Sequence, residues 1–355
     1  MVFLAVGVLA VVLASTAWGQ SSHKASNDRA HSRAGQQTLV VASLGGSYQD
    51  AQSKAFIQPF EKATGIKVTQ ANEDGTVGAL KTQVQAKNVQ WDVVDLGSID
   101  AQTAAKQGLL EPINYSVVTA GKQLLPGNAQ KYAVGSIYST NVIAWKKGQW
   151  GANTPTTPAD FFNLSKFPGG RALPGYSPVC VLEFALLADG VPQNKLYPLD
   201  VNRAFKKLDT IKNKTVFFKT NEQGLNLVSS GQAGMSYPPN GRVYDAMHSG
   251  QNLDYSWAGG CIFVDYWVIP KGAKHVAAAM KFIQFASQAQ NQAKMASLIP
   301  YGGTNKNGTV GLSQARKSVL PTAAQNLKHQ FKLNESYWIS HYAKLATQWQ
   351  NWLLH

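Results

Sequence analysis

A lone carboxylate interrupts an otherwise apolar run in the segment CIFVDYWVI, residues 261–269. Asp265 stands between Ile262, Phe263 and Val264 on one side and Tyr266, Trp267, Val268 and Ile269 on the other. Leaving such a group buried and unpaired costs several kcal/mol, so it calls for a cation. That cation is either internal, with Arg242 or a lysine as the candidates, or it arrives from solution. Arg242, in NGRVYD, carries a planar guanidinium of the kind that grips a carboxylate through two parallel hydrogen bonds. A plain pairing of Arg242 with Asp245 is the structural alternative. The loop SLGGSY, residues 43–48, is the third feature. Gly45 and Gly46 permit close backbone approach, and N–H groups at a helix start, here around Ser47 and Tyr48, attract anions. The same residues also suit a tight turn with no ligand.

Other chemistry is missing from the chain. There is no G-x-S-x-G elbow, no H-E-x-x-H helix and no Walker loop, and none of the seven histidines has a catalytic context. No enzymatic activity, catalytic residue, cofactor or metal site is expected. Two cysteines without histidines at ligand spacing make a poor zinc site. Cys180 and Cys261 are therefore either bridged or two buried thiols; a bridge across so long a loop would stabilise by roughly 4–5 kcal/mol. The 33 basic and 19 acidic residues give a net charge of +14. The basic residues are scattered singly and in pairs such as Lys206–Lys207, which argues against a nucleic-acid partner.

Residues 1–19 read as a signal peptide, an apolar run ending in small residues, and 20–36 as a polar leader. No later run is long and apolar enough to span a bilayer, so an exported, periplasmic, soluble protein is expected, working as a monomer.

The elements that must position these residues alternate between strand-like and helical patterns, which predicts an α/β protein. TLVVASL (38–44), IKVTQAN (66–72) and WDVVDLGS (91–98) read as strands. Between the first two, Ser47 and Asp50 suggest a capping box ahead of a helix that ends at Gly65. Helical spacing recurs at 77–87, 201–212 and 276–290, and 232–246 reads as a strand, a Pro-Pro-Asn-Gly turn and a helix start.

FIQPFEKATGIKV (56–68), WDVVDLGSIDAQTAAKQGLLEPI (91–113), LEFALLADGV (182–191), PPNGRVYDA (238–246), VDYWVIPKGAK (264–274) and IPYGGTNK (299–306) follow one another in a telling order. In that order the chain resembles the periplasmic solute-binding proteins of ABC importers, in the group containing the spermidine/putrescine receptors. The resemblance covers about 38–352. It implies a type II periplasmic binding fold: two α/β lobes joined by a hinge, 37–143 plus 266–311 and 144–265 plus 312–355, with ligand in the cleft between them. It further implies that Asp265 meets a ligand ammonium beside the aromatic Phe263, and that Arg242, where polyamine receptors carry a small polar residue, meets a ligand carboxylate. Tyr237, Trp267 and Tyr301 are candidate cleft aromatics, and Asp95, Ser98 and Asp100 lie at the third strand's end, where open α/β sheets place ligands.

The acidic pair that polyamine receptors carry is replaced by Ser177 and Cys180, with Glu183 one turn away as a substitute. A small zwitterion, an ω-amino acid such as 4-aminobutyrate, is therefore the expected ligand, and an ABC permease/ATPase complex the expected partner. A polyamine receptor and a subunit that delivers ligand to a chemoreceptor are the alternatives.

Overall fold

Three apolar runs become strands β1 (Thr38–Ser43), β2 (Lys67–Asn72) and β3 (Val93–Gly97). They pair in parallel in the order β2-β1-β3, with Thr38 opposite Lys67 and Ser43 opposite Asn72. Between β1 and β2 the chain is helical throughout, from Gly46–Gln52 through a π-helical stretch, Ser53–Ile57, to Gln58–Thr64. The capping box expected from Ser47 and Asp50 does not form. Gly45 and Gly46, at φ +67° and +58°, start the helix two residues earlier, and the Gln49 side chain accepts from the Gly45 N–H at 2.9 Å. This computed structural model describes residues 38–73 and 76–355. The expected signal peptide and leader lie outside the described residues.

A second wing and two long strands complete the sheet. β4 (Ala133–Lys146) is followed by β5 (Arg171–Pro174), β6 (Thr215–Phe218) and β7 (Met235–Ser236), and the last three pair in parallel in the order β7-β5-β6. β8 (Leu253–Val268) lies antiparallel to β4 along most of both lengths. The C-terminal end of β8 pairs with β3, while the far end of β4 pairs with β7, so these two strands carry the sheet from one wing to the other. β9 (Gly302–Gly303) adds to β4 and β10 (Gln330–Lys332) adds to β8. Register shifts at Gly135/Ile137 and Asn141/Ile143 are of the kind that bends and twists a ladder, here in the stretch joining the wings.

Alternation along β8 decides what the waist presents. Cys261, Phe263, Asp265 and Trp267 share one face. Trp267 packs edge-on against Phe56 and Phe282, with ring centroids 6.2 and 5.5 Å away, in the core of the first wing. Cys261 enters the core of the second wing and is disulfide-bonded to Cys180, which precedes helix Val181–Ala188. Each buried side chain of this size stabilises by roughly 1.5–3 kcal/mol, so each wing is anchored by its own cluster. Phe263 packs on the margin of the second core, and Asp265 falls between the two cores. The C-terminal helix Glu335–Leu354 buries Trp338 and Trp349 in the second core. Among the described residues no helix is long and apolar enough to cross a membrane.

Candidate functional site

Asp265 sits on β8 opposite Gly97 of β3 and Ile137 of β4 and is 4% exposed. No group among the described residues donates a hydrogen bond to its carboxyl, which opens on a cavity of about 400 Å³. Burial raises its pKa well above the ordinary carboxyl range; the nearby Asp95 adds to the rise and Arg242 opposes it. Asp95 differs sharply. It lies inside β3, fully buried, and accepts from Tyr48 Oη at 2.5 Å, Gln52 Nε2 at 2.6 Å and Ser136 Oγ at 3.1 Å. Burial pushes its pKa up to about 6, with those three donors working against the rise. One acid of this neighbouring pair is therefore satisfied by the protein and the other is not.

Arg242 is held from below by its own helix, Asn240–His248. Asn240, fully buried, accepts from Thr140 N–H at 3.1 Å and donates to Pro300 O at 2.8 Å, fixing the first turn. Tyr301 packs so closely over Gly241 that a Cβ there would lie 2.5 Å from its ring. The guanidinium, 4% exposed, bonds through Nη1 to Glu222 Oε1 and through Nη2 to the Leu44 and Gly45 carbonyls, both at 3.3 Å. Its closest partner is thus Glu222, on helix Asn221–Ser229, and neither Asp245 nor Asp265. Gly46 completes the nest: any Cβ there would overlap Glu222 and come within 2.6 Å of Arg242 Nη1. The glycine loop therefore turns the Leu44 and Gly45 carbonyls toward a cation, and the Gly45 N–H donates to Gln49 Oε1.

Asp265, Arg242, Phe263, Gly46, Tyr48, Ser98, Asp100 and Tyr301 all line the one cavity. Gly45 contributes through its carbonyl, while Ser47 is half-buried and outside the lining. Tyr237 and Trp267 are fully packed in the two cores. Tyr237 stacks on Phe184 at 4.2 Å and donates to Gly259 O at 2.6 Å, and Trp267 lies two residues past Asp265 on the same strand face, beyond the cavity edge. Glu183 also turns inward, accepting from Tyr197 Oη at 2.6 Å and Trp338 Nε1 at 2.5 Å, and burial raises its pKa to about 7. It does not replace the missing acidic pair.

Glu222, Tyr176, Asn141 and Lys219 also line the cavity, although nothing in their local sequence singles them out. In a chain of net charge +14 the described residues of the cavity wall carry four acids (Glu73, Asp100, Glu222, Asp265) against two bases (Lys219, Arg242). That balance favours a cationic group within it. Among the described residues no cluster of three or more His, Cys, Asp or Glu gathers that could hold a metal ion.

The buried acids make stability depend on pH with a definite sign. An acid whose folded pKa is raised stabilises the fold fully below its unfolded pKa and loses that contribution as pH rises through the folded value. For Asp95, moved from 3.8 to about 6, that loss falls between about pH 4 and 6. Asp265 and Glu183 act in the same direction. Calorimetric melting of the unliganded protein should show the stability gap between Asp265→Asn and wild type widening in favour of the variant from pH 4.5 to 7. A constant gap would contradict the assignment of a raised, unsupplied carboxyl.

Residues 55–309 match the family described as bacterial extracellular solute-binding protein. The gamma-aminobutyric acid-binding protein of Pseudomonas aeruginosa is 33% identical over 328 residues, 91% of this chain and 93% of that protein. The spermidine/putrescine-binding periplasmic protein of Escherichia coli is 24% identical over 283 residues, 76% of this chain and 78% of that one. Among solved structures, the periplasmic binding protein AgtB from A. tumefaciens R10, in complex with agropinic acid, matches at TM-score 0.85 and 39% identity, covering 90% of this chain and 99% of that one. A GABA receptor matches at TM-score 0.80 and 38% identity, covering 89% and 98%. The two wings joined by β4 and β8 are those of a type II periplasmic binding protein.

Proposed function

The chain belongs to the bacterial extracellular solute-binding protein family, and on that premise we propose that it captures a small amine-bearing zwitterion for an ABC importer. An ω-amino acid such as 4-aminobutyrate is the leading candidate. One observation carries the reading: a nearly buried carboxyl, Asp265, opens on the cavity with no hydrogen-bond donor from the described residues, on the same cavity wall as a guanidinium. An ammonium supplies what Asp265 lacks, and Phe263 and Tyr301 beside it add cation–π attraction. Arg242 supplies the pole for a carboxylate. The gamma-aminobutyric acid-binding relative is in keeping with that pairing.

The polyamine alternative finds less support, since Ser177 and the bridged Cys180 stand where a second amine would need acids and Glu183 faces a core. A second reading, a larger amino-acid derivative, is favoured by the cavity's size of about 400 Å³ and by the agropinic acid held by the similar A. tumefaciens protein. In either case the protein works as a monomer in the periplasm. Its wings close over the solute about the β4–β8 waist, and the closed form docks on the permease.

Isothermal titration with 4-aminobutyrate, n-butylamine and 1,4-diaminobutane tests the reading. The amino acid should bind at least ~100-fold more tightly than the diamine, a difference of about 2.7 kcal/mol. Tight diamine binding with none for amino acids would refute it.

A further inference from the structure

Glu222 has no part in the ligand contacts proposed above, yet it occupies the guanidinium assigned to them. Arg242 Nη1 is on Glu222 Oε1, and Nη2 is on two backbone carbonyls. Those carbonyls belong to a backbone turn set by two positive-φ glycines, so no side-chain rotation can remove them. Glu222 can. Its side chain is 44% exposed, its second oxygen has no hydrogen-bond partner among the described residues, and it hangs from the first turn of a helix capped by Thr220. The Glu222 contact is a single-point ion pair on a half-exposed carboxylate and the one tie of Arg242 that a side-chain rotation can release, whereas a ligand carboxylate can engage a guanidinium through two bonds.

We infer that Glu222 is a built-in competitor for Arg242 and thereby sets how strongly the cavity prefers carboxylate-bearing amines over plain amines. This rests on the proposed function for its choice of ligands. With Glu222 in place, a carboxylate must displace one negative group to gain another, so part of its attraction to Arg242 is spent on the exchange. A plain amine meets Asp265 beside an already neutralised Arg242 and is indifferent to the exchange. Removing the charge of Glu222 leaves Arg242 free for the ligand and strengthens zwitterion binding selectively.

The test compares wild type with Glu222→Gln, nearly the same shape without the charge, and with Glu222→Ala. Calorimetry should show the ratio of the n-butylamine Kd to the 4-aminobutyrate Kd rising tenfold or more in both variants. An unchanged or smaller ratio overturns the inference. A second readout does not depend on the ligand assignment: sodium propionate is titrated into the unliganded proteins while the Arg242 side-chain N–H signals are followed by NMR. Saturable shifts in Glu222→Gln and Glu222→Ala but not in wild type support the competitor role, even if wild type binds neither amine and the proposed function fails. Equal responses in all three proteins overturn it, whatever the true solute.

Discussion

Asp265→Asn should abolish tight binding of every ammonium ligand and, in the same protein, raise the melting temperature of the unliganded chain. Both halves follow from one feature, a carboxyl that is 4% exposed and receives no hydrogen bond from the described residues. A charged group buried in this way draws stability from the empty protein and returns it when an ammonium arrives. Truncating one partner of a desolvated charge pair typically costs 2–5 kcal/mol, which corresponds to affinity losses from about 30-fold to several thousand-fold. The gain in the empty protein is smaller, ~1 kcal/mol or about 1–2 °C for a chain of this size. Calorimetric titration and scanning calorimetry read the two effects separately. A residue that merely held the fold together would show the opposite second half, a lower melting temperature on substitution. Full retention of affinity would make the carboxyl structural.

Arg242→Gln should divide the ligands by their charge. Loss of the guanidinium removes the pole for a carboxylate, so 4-aminobutyrate should weaken by 2–4 kcal/mol, roughly 30- to 1000-fold, while n-butylamine stays within about threefold. The substitution also releases Glu222, which Arg242 holds in wild type. The cavity then presents two uncompensated carboxylates, Asp265 and Glu222, and 1,4-diaminobutane should bind more tightly than it does to wild type. One substitution would thus carry the site toward the dication chemistry that Ser177 and Cys180 withhold. Circular dichroism and an unchanged melting profile guard against a folding artefact. Equal weakening of the amino acid and the plain amine would remove Arg242 from its assigned role.

The legible parts of the site were those that broke a local pattern. Asp265 stood out because a carboxylate in the middle of a buried strand violates the pattern of its neighbours. Its placement followed from the alternation of β8. The same alternation put Trp267 on the Asp265 face, but it cannot say where along that face the cavity ends and the first core begins; packing against Phe56 and Phe282 decides that. Tyr237 is the matching case in the second core, where Phe184 takes its ring and the Gly259 carbonyl takes its hydroxyl.

Glu222 was not legible because an acid in the first turn of a helix is ordinary dipole chemistry, and its contact with Arg242 joins two helices through the tertiary fold. The strands of the first wing were readable as short apolar runs. The long β4–β8 pairing that holds the cavity between the wings was not, since its register is set by partners more than a hundred residues apart, from Ala133 opposite Val268 to Lys146 opposite Leu253. The glycine loop shows a subtler limit: two adjacent glycines permit a close approach, but the sequence does not say that the Gly45 N–H is taken by Gln49 while its carbonyl meets Arg242.

The most direct measurement is a crystal structure of the protein with 4-aminobutyrate bound. The ligand nitrogen should lie within hydrogen-bond distance, about 2.7–3.2 Å, of an Asp265 carboxylate oxygen, with its carboxylate on the Arg242 guanidinium. A bound solute whose nitrogen lies elsewhere, with Asp265 facing only water or a protein donor, would contradict the account.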